Sequence, residues 1–158
     1  MSQLPKKRRS PTPKSEAITK VMQGNKAKDT RPELLLRRAL RNQGLSGYRV
    51  HWEKVPGNPD IAYPGRKIAI FVNGCFWHRC PRCNIPIPSS NTEYWKPKLE
   101  GNVQRDKRSY SLLNEMGWTV IVIWECEIKG NVEVVVGRIR QLMTVDSSQA
   151  DTILAGDS

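Results

Sequence analysis

An α/β fold, with a central mixed β-sheet flanked by helices, is predicted by three features of the sequence. Apolar residues at helical spacing follow a proline-marked helix start near residue 31. Three short β-prone runs between residues 48 and 72 are separated by strong turn signals. Residues 119–124, Thr-Val-Ile-Val-Ile-Trp, form the apolar run typical of a strand buried on both faces. At 158 residues the chain has the size of one domain, and 38% hydrophobic residues with five tryptophans suffice for a core.

The elements follow in order. Residues 1–14 hold Lys6, Lys7, Arg8 and Arg9 among Pro5, Pro11 and Pro13, which predicts a basic, solvated tail. A single domain is expected over 15–143. Residues 15–23 fit a short helix, with Ile18, Val21 and Met22 at helical spacing and Gly24-Asn25 ending it. Thr30-Arg31-Pro32-Glu33 reads as a capping box with proline in the first turn, and Gly44 stops the helix that follows. Strands are expected at 48–55, 60–63 and 67–72, divided by Pro56-Gly57-Asn58-Pro59 and Pro64-Gly65, so they form a meander. Residues 91–115 read as helical with an interruption near Pro97, and Gly117 precedes the apolar strand. A last helix spans about 132–143, and 144–158 form a loose polar tail.

Charge narrows the partner. The formal net charge is +11, and residues 1–49 hold 13 of the 26 Lys/Arg against three acids, for +10. Residues 50–108 contribute +5, and 109–158 contribute −4. One basic face laid on phosphate suits this asymmetry better than a membrane surface, which favours a long amphipathic basic helix. No apolar run reaches bilayer-spanning length, and no apolar segment accompanies the basic cluster at the start, so a reducing, cytoplasmic compartment is expected. In that compartment four cysteines point to metal ligation before disulfides.

Cys75, Cys80 and Cys83 form C-x4-C-x2-C, and Cys126 follows the buried strand directly. Three thiolates from a loop and one from a strand end make a closed tetrahedron for a structural Zn²⁺, with free core thiols as the alternative. His78 lies inside the loop and competes as a ligand, but four cysteines already fill four places.

The run Val55-Pro56-Gly57-Asn58-Pro59-Asp60, then Ile70-Phe71-Val72-Asn73-Gly74-Cys75-Phe76-Trp77-His78, resembles the signature of the very short patch repair endonucleases. Thr92-Glu93-Tyr94-Trp95, Asn102-Val103-Gln104-Arg105-Asp106 and residues 117–126 extend the match, which covers about 15–143. The resemblance implies a restriction-endonuclease-like core and a Mg²⁺-dependent nick in one strand of duplex DNA, 5′ to the thymine of a T·G mismatch left by deaminated 5-methylcytosine. It also implies a monomer associated with the bacterial nucleoid, linked in function to a DNA cytosine-5 methyltransferase and to mismatch-repair factors.

By the same resemblance, Asp60 and the backbone carbonyl of Val72 hold Mg²⁺, which takes oxygen ligands and keeps waters for phosphate. His78 is the general base, its ordinary pKa lying near neutrality. Asp106 supports it, and Glu33 is an acid from the first large helix. Glu33 is equally explained by the capping box, and Asp106, beside Lys107 and Arg108, by a solvated helix face. Phe76, Trp77 and Trp95 form a wedge beside the mismatch, and Met22 is an apolar contact from the minor-groove side. Plain packing is the alternative for Trp95 and Met22. His51, Trp52, Trp118 and Trp124 are assigned to the core or a strand surface.

Two positions depart from the resembled pattern. Cys80 stands where a zinc histidine is usual, which thiolate tolerates. Asn73 stands where a second histidine is usual; its amide can donate to phosphate but carries no charge. Two other functions share parts of these features: a zinc-stabilised DNA-binding module without catalysis, and a restriction-type enzyme cutting both strands.

Overall fold

The computed structural model describes residues 28–144. The basic tail, the helix expected at 15–23, Met22 and the segment after 144 lie outside the described residues. The described chain runs α1 (Arg31–Asn42), β1 (Arg49–Val50), β2 (Ile61–Tyr63), β3 (Ile68–Asn73), α2 (Thr92–Glu115), β4 (Thr119–Trp124) and α3 (Glu125–Thr144). A short 3-10 turn, Pro64–Arg66, joins β2 to β3.

The sheet order is β1-β2-β3-β4, with β1, β2 and β3 an antiparallel meander and β4 parallel to β3. The sheet is therefore mixed, as expected. Alternation along the strands sends side chains to opposite faces. Ile68, Ile70, Ile121 and Ile123 pack with Leu36, Ala39 and Leu40 of α1 and with Ile128, Val135, Val136 and Ile139 of α3. Ala69, Phe71 and Val120 pack on the other face with Leu113 of α2 and Val55. Burying each of these Leu or Ile side chains contributes roughly 1.5–3 kcal/mol, so two apolar layers fix the helices on both sides of the sheet.

Thr30 caps α1: its Oγ1 accepts from the Glu33 N–H at 3.5 Å and its hydroxyl donates to Glu33 Oε1 at 3.1 Å, while Glu33 Oε2 accepts from the Asp29 N–H at 3.1 Å, one residue before the N–H that a capping box uses. Three expectations are corrected. The strand expected at 48–55 is confined to Arg49–Val50, because His51 takes a left-handed backbone conformation (φ 47°) that turns the chain away. Helix α2 is not interrupted at Pro97; a proline in its second turn forfeits only the one N–H that would bond to Glu93. The last helix begins at Glu125 and breaks only at Asn131 (φ −160°, ψ 98°). Asn131 Oδ1 accepts from the N–H groups of Glu133 and Val134 at 3.1 and 3.3 Å, so it caps the half that was expected. Among the described residues no helix is long and apolar enough to cross a membrane.

Candidate active site

A cleft of about 850 Å³ opens where the ends of β2 and β3 meet α2, and Asp60, Asn73, Phe76, Trp77, His78 and Asp106 all line it. Asp60 arrives there through strand register. Strand β2 pairs with β3 only as far as Ile61↔Ile70, and Pro59 has no N–H with which to continue the ladder. The Asp60 carboxylate takes over, accepting from the Val72 N–H at 2.7 Å. Burial pushes its pKa up to about 6, partly offset by that N–H, and the nearby Glu33 adds to the rise. A buried carboxylate short of positive partners is the donor a divalent cation would compensate. Gly57 makes the cleft wall close: a Cβ there would lie 2.8 Å from Ser109 Cβ and 3.1 Å from the Phe71 ring, and its φ is +80°.

The loop after β3 presents His78. Its N–H donates to the Gly74 carbonyl at 3.1 Å, and Asn102 of α2 donates through Nδ2 to the Trp77 carbonyl at 3.1 Å, so the loop is tied to itself and to α2. His78 Nδ1 lies 2.5 Å from Asp106 Oδ2. With Asp106 ionised, this bond places the proton on Nδ1 and leaves Nε2 as a free acceptor. Asp106 is thus engaged with the histidine, against its alternative as a solvated helix face.

The four cysteines converge, their Sγ atoms all within 4.8 Å of one another, and Cys80 and Cys126 are 3.8 Å apart. Tetrahedral zinc with bonds of about 2.3 Å requires sulfurs about 3.8 Å apart, so the set fits Zn²⁺. Burial pushes the Cys75 and Cys126 thiols up. It acts on Cys80 too, but hydrogen bonds from the backbone N–H groups of Cys83 and Arg82 and from the Cys126 and Cys83 thiols together hold that thiol below its ordinary range. Such a set needs a cation to ionise fully. His78 is no part of it. Glu127, next to Cys126, accepts from Arg82 at 3.1 Å, from Arg138 at 2.9 Å and from the Trp124 N–H at 2.8 Å, joining the cysteine loop to α3.

The remaining expected residues divide. Glu33 lines the cleft and is 2% exposed, bonded to Arg37 at 3.1 Å as well as to its cap. Phe76 and Trp77 are half-buried at the cleft, their centroids 5.1 Å apart. Phe76 meets Trp95 edge-on at 5.6 Å and Trp77 meets it tilted at 5.8 Å, but Trp95 itself is only 2% exposed and stands behind them. Asn73 is also turned inward: 4% exposed, it donates through Nδ2 to the Tyr110 hydroxyl at 3.0 Å, so that N–H is not directed at phosphate. Two features went unread. His51, assigned to core or strand surface, meets Asp29 and Arg37 at 3.2 and 3.1 Å, and Tyr110 holds Asn73. The spacing of Glu33 and Arg37, four residues apart on one helix, was the available signal for the first; nothing local marks the second.

A mixed α/β sheet with an acid at a strand start, a histidine–carboxylate pair facing the same cleft and a four-thiol cluster beside it has the composition of a hydrolytic site. Comparison with known proteins narrows it. The family DNA mismatch endonuclease Vsr matches residues 13–84. The type II nicking enzyme V.XorIIP of Xanthomonas oryzae pv. oryzae is 43% identical over 109 residues, covering 68% of this chain and 79% of the relative. The DNA mismatch endonuclease Vsr of Escherichia coli is 38% identical over 112 residues, 71% of each chain. The type II nicking enzyme V.NaeI of Lentzea aerocolonigenes is 39% identical over 122 residues, 74% of this chain and 72% of the relative. The chain belongs to the DNA mismatch endonuclease Vsr family, and is a DNA endonuclease.

Proposed function

We propose that this endonuclease hydrolyses one strand of mismatched duplex DNA, on the 5′ side of the thymine in a T·G pair, with a divalent cation. One observation carries the reading: Asp60, the His78–Asp106 pair and the Phe76–Trp77 rings face a single cleft. Asp60 and the Val72 carbonyl would hold Mg²⁺. The N–H and C=O of a strand residue point to the same edge, and the Val72 N–H already meets Asp60. When bound there, Mg²⁺ would supply Lewis-acid polarisation of the scissile phosphate. His78 takes the proton of the attacking water at Nε2, since Asp106 occupies Nδ1, and Asp106 stabilises the imidazolium that results. Glu33 adds a second buried acid beside Asp60.

Phe76 and Trp77 wedge into the step beside the mismatch, where weak pairing makes unstacking cheap, and Trp95 backs them. Met22 contacts the opposite groove. The Cys75, Cys80, Cys83 and Cys126 site holds Zn²⁺, which fixes the loop that carries both wedge and base. The sheet order and the helices on both faces suit a restriction-endonuclease-like core. Relatives named nicking enzymes support cleavage of one strand over two. Residues 15–143 act as one domain and as a cytoplasmic monomer, with a cytosine-5 methyltransferase supplying the lesion's precursor.

The test is incubation with a T·G duplex labelled on both strands, alongside its matched control, with and without Mg²⁺. A single Mg²⁺-dependent cut 5′ to the thymine, absent from the control, is expected. Equal cutting of both duplexes, cutting of both strands, or binding without cutting would each overturn the reading.

A further inference from the structure

Beside the cleft, Glu33 belongs to a partly buried charge network whose other members the reaction as described leaves unused. Arg37, 8% exposed, donates through Nη1 to Asp29 Oδ1 at 2.7 Å and through Nη2 to Glu33 Oε2 at 3.1 Å. The His51 Nε2 lies 3.1 Å from Arg37 Nη2 and 3.2 Å from Asp29 Oδ1. The Asp29 N–H also donates to Glu33 Oε2, at 3.1 Å. Both ends of this network reach the cleft. Glu33 lines it directly, and the backbone N–H of His51 donates to the Asp60 carbonyl at 3.1 Å.

Three observations speak against a purely structural purpose. The Arg37 Nε–H is buried without a partner, a cost that a network selected for stability alone would avoid. His51 and Asp29 both hold left-handed backbone conformations, φ 47° and 56°, and such strain gathers where geometry serves a site. Glu33 lines the same cleft as Asp60 and its charge adds to the rise there, while the Arg37 hydrogen bonds run to Glu33 and Asp29. Arg37 therefore reaches Asp60 through the carboxylate it holds.

We propose that Arg37 and His51 are positioning residues of the endonuclease, fixing the Glu33 carboxylate at the cleft so that the Asp60 site binds a divalent cation more tightly. This rests on the reading of Asp60 as the cation site. Outer partners of this kind typically change metal affinity by about 10–100-fold. Two effects of removing Arg37 oppose each other. Loss of a positive charge would tighten a cation, whereas release of Glu33 from its position would weaken it. The hydrogen bonds run to Glu33 and Asp29, not to Asp60, so the second effect dominates.

The experiment uses the full-length, zinc-loaded protein and Mn²⁺ as probe. Mn²⁺ binding is followed by electron paramagnetic resonance without DNA, and the Mg²⁺ concentration giving half-maximal single-turnover nicking is measured on a mismatched duplex. Arg37→Met and His51→Leu should each raise both values by about 10-fold or more. His51→Gln, which keeps a polar atom near the Nε2 position, should recover much of the loss. If Arg37→Met does not fold, the two His51 variants decide alone. A merely structural role lowers the folded fraction without moving the half-saturation concentration, so unchanged values in folded variants overturn the inference, as does tighter Mn²⁺ binding by Arg37→Met. Asp60→Asn separates the two readings: if it still binds Mn²⁺ like the wild type, the cation site itself is misassigned and the positioning inference falls with it. If Asp60→Asn loses Mn²⁺ while the Arg37 and His51 variants do not, the positioning inference alone fails.

Discussion

Asp60→Asn separates charge from shape at the centre of the cleft. An asparagine side-chain oxygen can still accept from the Val72 N–H that Asp60 engages at 2.7 Å, so the strand junction is kept while the charge goes. Burial holds the Asp60 carboxyl at about 6 against an ordinary 3.8. Because the folded value is raised, the folded state binds this proton more tightly than the unfolded chain. Stability is therefore lost as pH rises from about 4 to 6, and the whole cost is present above that window. The difference between the two values corresponds to about 3 kcal/mol. Without divalent cation, the variant should match the wild type at pH 4 and exceed it by up to about 3 kcal/mol at pH 8. Urea unfolding followed by tryptophan fluorescence measures this, in buffers free of chelator so that the cysteine site is undisturbed. Mg²⁺ should then stabilise the wild type and not the variant, since only the charged form gains a partner. Equal stability of the two proteins at pH 8, or equal stabilisation of both by Mg²⁺, would refute the assignment of an uncompensated charge at Asp60.

Four further outcomes are expected. Cys126→Ser should lose the zinc measured per chain by atomic absorption and unfold at lower temperature, because the binding energy of such a site is folding energy. His78→Ala should slow single-turnover nicking by about 10²–10⁴-fold with zinc content unchanged, and loss of zinc would instead make His78 a ligand. Trp77→Ala should narrow the affinity gap between mismatched and matched duplexes by roughly 1–3 kcal/mol in fluorescence anisotropy titrations, whereas equal loss on both would make Trp77 a packing residue. Tyr110→Phe should strand the buried Asn73 amide and cost about 1–3 kcal/mol in urea unfolding, with most of it recovered in a double variant that also carries Asn73→Leu.

Much of this protein could be read from local residue order. Thr30-Arg31-Pro32-Glu33 specifies a helix start through hydrogen bonds spanning four residues, and the turns at Gly57 and Pro64-Gly65 delimit strands for the same short-range reason. The cysteine spacing, the aromatics of the 75–83 loop, and Asp60 behind Pro59 were visible because each is a pattern in sequence, and the family motifs tied them to one chemistry. Other features depended on contacts between distant segments. His51 leaves the strand because its ring is drawn to Arg37 and Asp29, a match made across more than a dozen residues. Asn73 turns toward Tyr110, 37 positions away, and Trp95 is buried by the rings it was expected to stand beside. Whether an acid such as Glu33 is a cap or part of a cleft has no local signature, since its backbone role is identical in both. Burial by elements far along the chain raises Asp60 and encloses Glu33, and packing of β3 against β4 and α2 brings His78 to Asp106. Composition and spacing therefore set which chemistry the chain can hold, while the tertiary structure decides which acids are desolvated and which side chains meet.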